Sequence, residues 1–129
     1  MTAEPMTDDV CAVCGHRIGW RGLGTLHHDG LLYCSRDCYR RRGDRRAVAL
    51  ERAILGLLAE QRPGGSICPS EVARSVAGED EEEWGALMEP VREAARRLVA
   101  DGRVEVTHHG EVTDASSVRA PFRLRAASG

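Results

Sequence analysis

Lysine and asparagine are absent from this chain of 129 residues, and all 18 of its basic residues are arginine. Both missing residues have A/T-rich codons, so the gap reads as a GC-rich genome and not as chemistry. Aromatic residues are scarce: two Trp, two Tyr and one Phe. Any core must therefore come mainly from Leu, Val, Ile and Ala, which is modest for this length. No apolar run approaches the roughly 20 residues that span a bilayer, so no membrane-spanning helix is expected. The first ten residues are acidic and polar, so no signal peptide is expected, and four clustered cysteines plus a lone Cys68 suit a reducing cytoplasm better than a disulfide framework. The formal charge is only −2, and four thiolates with one Zn2+ would bring it to about −4. Such a balance does not suggest wholesale coating of nucleic acid.

What the chain does have is a double pair of cysteines: Cys11-x2-Cys14 and, after 19 further residues, Cys34-x3-Cys38. Thiolates bind zinc strongly, and two close pairs joined by a short loop can close a tetrahedron around one ion. Gly15 permits the positive φ that a Cys-x2-Cys-Gly turn often needs. Cys34 and Cys38 share one face if a helix starts near Ser35, and that helix start favours thiolates. With four sulfurs available, the expectation is one closed, structural Zn2+ on Cys11, Cys14, Cys34 and Cys38. His16, His27 or His28 could replace a sulfur, and iron fits the spacing as well as zinc does. A redox dithiol at Cys11 and Cys14 lacks the surrounding βαβ pattern. The fifth cysteine, Cys68, reads as a capping or half-buried thiol, because no base or oxyanion site marks it as a nucleophile.

The fold class expected is α+β: a small treble-clef or zinc-ribbon module followed by a winged-helix domain of three helices and a β-hairpin wing. Residues 1–9 read as a disordered tail, 10–42 as the zinc-binding module and 43–126 as the winged-helix-like part. Residues 44–61 form an amphipathic helix capped by Asp44, with Ala47, Val48, Leu50, Ile54, Leu55, Leu57 and Leu58 as its apolar side. Pro63-Gly64-Gly65 ends it. A short second helix starts at Pro69 behind Cys68 and stops near Gly78. The acidic run 79–83 opens a third, with a kink or fresh start expected at Pro90 and an end at Gly102. Val91, Ala94, Ala95, Leu98 and Val99 continue its buried face. Residues 103–107 alternate as a strand, His108-His109-Gly110 turn, 111–113 return, and 121–125 read as a last strand.

Basic residues raise the question of nucleic acid. Arg36, Arg40, Arg41, Arg42, Arg45 and Arg46 form the densest cluster, which could hold phosphates or serve as a solvated linker. Arg92, Arg96 and Arg97 lie on the polar side of the last helix, the element that enters the major groove in a winged helix. Glu89 with Arg92 and Glu93 with Arg97 also have the spacing of intrahelical ion pairs. The carboxylates of 79–83 would repel phosphate, and neutral His108 and His109 give a wing tip little pull on it. Arg119, Arg123 and Arg125 could compensate, or could simply keep an edge strand from pairing.

Two resemblances cover nearly the whole chain. Residues 11–42, with CAVCGH, WRG and YCSRDCYRR, resemble a short uncharacterised bacterial zinc-finger family. Residues 44–125 resemble a second bacterial family, of unknown function and winged-helix fold, through ICPSEVARSV at 67–76, W-x2-LM at 84–88, VREAARRLVADGRVEVT at 91–107 and APFRLR at 120–125. The resemblance implies metal binding by the four cysteines and carries over no catalytic residue. The chain departs from the pattern at Ala120, where glycine is usual, and at His108 and His109, where the wing tends to be polar or basic. The function expected is a small cytoplasmic nucleic-acid-binding or regulatory protein, not an enzyme, with Arg40, Arg41, Arg42, Arg45, Arg46, Arg92 and Arg96 as nucleic-acid contacts. The alternative is a protein-interaction module with a structural zinc.

Overall fold

Asp44 accepts from the backbone N–H of Arg46 at 2.9 Å and so starts the longest helix in the chain. The computed structural model describes residues 10–18, 26–28, 30–115 and 122–127, with backbone alone for 26–28. The tail 1–9, the WRG segment, Arg119 and Ala120 lie outside the described residues. In order, the elements are β1 (Leu26–His28), β2 (Leu31–Tyr33), α1 (Arg36–Arg40), α2 (Arg45–Ala59), β3 (Ser66–Ile67), α3 (Pro69–Ala77), α4 (Glu81–Gly85), α5 (Met88–Ala100), β4 (Val104–His108), β5 (Glu111–Thr113) and β6 (Arg123–Ala126). The architecture is mixed helix and sheet. Among the described residues no helix is long and apolar enough to cross a membrane.

The larger core follows the periodicity of the sequence. Leu50, Ile54 and Leu58 line one side of α2, and Val91, Ala94, Ala95 and Leu98 line one side of α5. Both stripes pack with Val72 and Ala73 of α3 over an antiparallel sheet of order β3-β6-β4-β5. Val106 and Ile67 both lie opposite Leu124 in register, and all three are buried. On the same strands Glu105 faces Arg125 and pairs with it at 2.9 Å.

Several expectations shift. Val48, expected in the core, is half exposed. The break near Pro90 falls earlier, between α4 and α5, and Pro90 sits in the first turn of α5. There its missing N–H has no helical partner to lose, so the ring is tolerated. The hairpin turn narrows to His109 and Gly110, both at positive φ (54° and 84°), as a two-residue type I′ connection requires. The strand β3 was not expected. It has only two residues, and Arg123 secures it by donating to Ser66 Oγ at 2.6 Å and Ser66 O at 3.1 Å.

A second, smaller cluster gathers Cys11, Val13, Cys14, Tyr33 and Cys38 at the N-terminal side. The β1–β2 hairpin supports it, because Ala12 donates its N–H to Leu32 O at 2.8 Å.

Candidate metal centre

The Cys11–Cys14 turn is built by two backbone bonds. Cys11 donates to His16 O at 3.0 Å and Gly15 donates to Cys11 O at 3.1 Å. Val13 N–H points at Cys11 Sγ from 3.5 Å, the amide-to-sulfur contact that steadies a thiolate. The second pair rides on α1. Ser35 caps this helix by accepting from Cys38 N at 3.2 Å, which sets Cys34 just before the first turn and Cys38 inside it.

The four Sγ atoms lie within 4.8 Å of one another. Cys14 and Cys34 are 3.7 Å apart, and Cys34 and Cys38 are 3.6 Å apart. Four Zn–S bonds of about 2.3 Å in a tetrahedron put sulfurs about 3.8 Å apart. The observed edges fit that size, and all four cysteines are free thiols, so the set can hold one metal ion. His16 is not among the converging ligand atoms, and the side chains of His27 and His28 lie outside the described residues.

Crowding explains the ionisation pattern. The Cys14 thiol beside Cys11 holds the Cys11 sulfur down at about 4. The same contact pushes Cys14 up, with burial adding to it. Burial is the main cause that raises Cys34, with Cys38 next. A dication among these sulfurs removes the mutual repulsion that keeps the later protons on. Arg41 helps from outside, with Nη2 3.5 Å from Cys38 Sγ. Its guanidinium is held firmly charged by the hydrogen bonds it donates to Glu93 at 3.1 and 3.2 Å.

The turn also docks on α5. Arg96 is only 9% exposed, donates from Nε to Cys14 O at 2.8 Å and reaches Glu89 at 3.2 Å. Arg97 donates to Val13 O and to Glu51 Oε2, the latter at 2.5 Å. Gly15, at φ +80°, lies against this helix so closely that a Cβ would fall 2.4 Å from Arg96 Cβ and 2.8 Å from Arg97 N. Its glycine therefore answers a close approach as well as a turn.

This arrangement decides where the seven candidate phosphate contacts stand. Arg96 is buried and engaged, and Arg41 is committed to Glu93. Arg92 pairs with Glu89 at 3.3 Å, as its spacing suggests, whereas the expected Glu93–Arg97 pair is replaced by Glu93–Arg41 and Arg97–Glu51. Arg40 pairs weakly with Asp37 at 3.4 Å, and Arg42 stacks over Tyr39 at 3.9 Å. Arg45 and Arg46 are exposed. Arg41, Arg45 and Arg46 share one cleft with Arg97, and Arg92 and Arg96 are not part of its lining. The docking roles of Arg96 and Arg97 are not marked in the sequence, where both read as polar-face residues of an amphipathic helix.

Cys68 sits at the N-cap of α3, where its N–H donates to Glu71 Oε1 at 3.2 Å and its Sγ meets Ser70 Oγ at 3.2 Å. That is the capping position expected.

Among protein families, the one described as "Protein of unknown function (DUF3253)" matches residues 47–127. The matched stretch begins after the four cysteines. No curated protein matches the chain.

Proposed function

The chain belongs to this family of unknown function, and we propose that it is a non-catalytic protein-interaction module, in which a metal-stapled cysteine segment caps a winged-helix domain. Support for the winged helix comes from element order. Helices α2, α3 and α5, the β3 strand between the first two, and the sheet order β3-β6-β4 reproduce its pattern, with β5 as the wing and α4 as an added turn. Residues 10–42 form a treble-clef or zinc-ribbon module, with a turn on one side and a helix-borne pair on the other. Cys11, Cys14, Cys34 and Cys38 hold one Zn2+, which supplies stability that so few buried side chains cannot. The location is cytoplasmic, where thiols stay reduced.

One observation carries the choice of protein over nucleic acid. The face of α5 that a winged helix would insert into the major groove holds Arg96 and Arg97, and these are bonded to Cys14 O and Val13 O. A duplex would have to displace the cysteine turn to reach them. Anisotropy titrations with duplex DNA and structured RNA test the reading. The expected result is weak binding, unaffected by Arg96→Ala. Tight binding that falls steeply with salt and is lost in Arg96→Ala would overturn it. A second reading, phosphate contact through Arg40, Arg42, Arg45 and Arg46, is favoured by their exposure. It predicts salt-steep binding that survives Arg96→Ala and fails on reversal of Arg45 and Arg46.

A further inference from the structure

A cleft of about 560 Å3 opens between the cysteine turn, the start of α2 and α5. Sites that enclose a ligand-sized group span about 300–1,000 Å3, so it takes a few side chains and not a domain. Its apolar lining includes Ala12, Val13, Val48 and Pro90. Val48 is 50% exposed there, whereas Leu50, Ile54 and Leu58 on the other side of α2 are buried.

Charge in the cleft is uneven. Arg41 and Arg97 line it but are already paired with Glu93 and Glu51. Arg45, Arg46 and Arg52 also line it, are exposed, and have no side-chain partner among the described residues. Arg45, Val48 and Arg52 follow helical spacing, so an aliphatic side chain is bracketed by two unpaired guanidinium groups along one face of α2.

We propose that this cleft docks an acidic segment of a partner protein in which carboxylates alternate with aliphatic side chains. This rests on the interaction-module reading above. Guanidinium groups match carboxylates in a two-pronged geometry, and the apolar lining around Val48 takes the aliphatic positions. A nucleic-acid backbone fits less well. It has no aliphatic group to place against Val48, which an alternating acidic and aliphatic segment supplies.

The test is an anisotropy titration of the metal-loaded full chain with a labelled short peptide alternating glutamate and leucine. A phosphoserine-glycine peptide and a short DNA duplex run beside it. The Glu–Leu peptide binds best, and Arg45→Glu with Arg52→Glu weakens it roughly tenfold or more. Val48→Ser weakens it less, and Arg62→Glu, exposed beyond α2 and outside the cleft, leaves it unchanged. Metal content and circular dichroism confirm that each variant is folded. Peptide binding that survives the double reversal overturns the cleft and leaves the interaction reading standing. Equal damage from Arg62→Glu, or self-association of the chain abolished by the double reversal, also overturns it. Preference for the phosphopeptide does the same. Preference for the duplex, lost on double reversal, overturns both proposals.

Discussion

Among the described residues, fifteen buried side chains exclude water together around Leu98; around Cys38 there are five, and three of those are cysteines. At ~25 cal/mol per Å2 of apolar surface, the first group can offset much of its own chain entropy and the second cannot. On the proposed metal site, ordering the N-terminal segment falls to the ion and to its seat on α5. That seat is polar: the Arg96 and Arg97 bonds to Cys14 O and Val13 O, and the Arg41–Glu93 pair. On that proposal, burial makes one region stable without help and chelation makes the other conditional.

Removing the metal should separate them most sharply. Structural zinc contributes on the order of 10 kcal/mol of binding free energy in small modules. Chelation, or Cys38→Ser, should sharply lower, without erasing, amide protection across residues 10–18 and 30–40 while most far-UV helix signal remains. Loss of all helix signal would show that the division at residue 42 does not hold. Leu98→Ala should act the other way. It should cost about 2–5 kcal/mol in denaturant unfolding, with one metal ion per chain still bound under native conditions. Gly15→Ala attacks the seam. The Cβ meets α5 backbone and the φ is left-handed, so a penalty of about 1–3 kcal/mol is expected, read as faster metal loss to a chelator.

Acidity should also tell the regions apart. In metal-free protein Cys11 titrates at about 4 instead of 9. A depressed thiol stabilises the fold fully above its unfolded value and loses that contribution as pH falls through about 4. Cys14 is raised, so its contribution is full below about 9 and is lost as pH climbs beyond that. Order in the metal-free turn should therefore peak near pH 9 and decline on either side, as followed by amide exchange of residues 11–18. The smallest effect concerns the turn between β4 and β5. His109 holds φ 54° beside Gly110, and Asn suits that position better. His109→Asn should stabilise the chain by under about 1 kcal/mol and leave metal affinity alone.

Legibility in the sequence differed between the regions for physical reasons. Helix faces repeat every three to four residues, so Leu50, Ile54, Val91 and Leu98 announced themselves, and Asp44, Pro69 and Gly78 marked helix ends. Cysteine spacing announced the four sulfurs. The seam announced nothing. Arg96 and Arg97 carry the same local signal as solvated residues, and only the approach of Gly15 turns them inward. Val48 misled for the complementary reason: its periodicity suits the core, yet the helix presents it to the cleft.

The most direct test of the account is to determine metal by elemental analysis of the purified full chain while mapping alkylation at all five cysteines. The account predicts one transition-metal ion per chain, Cys11, Cys14, Cys34 and Cys38 protected, and Cys68 alone modified. No bound metal together with rapid modification of all four paired sulfurs would contradict it.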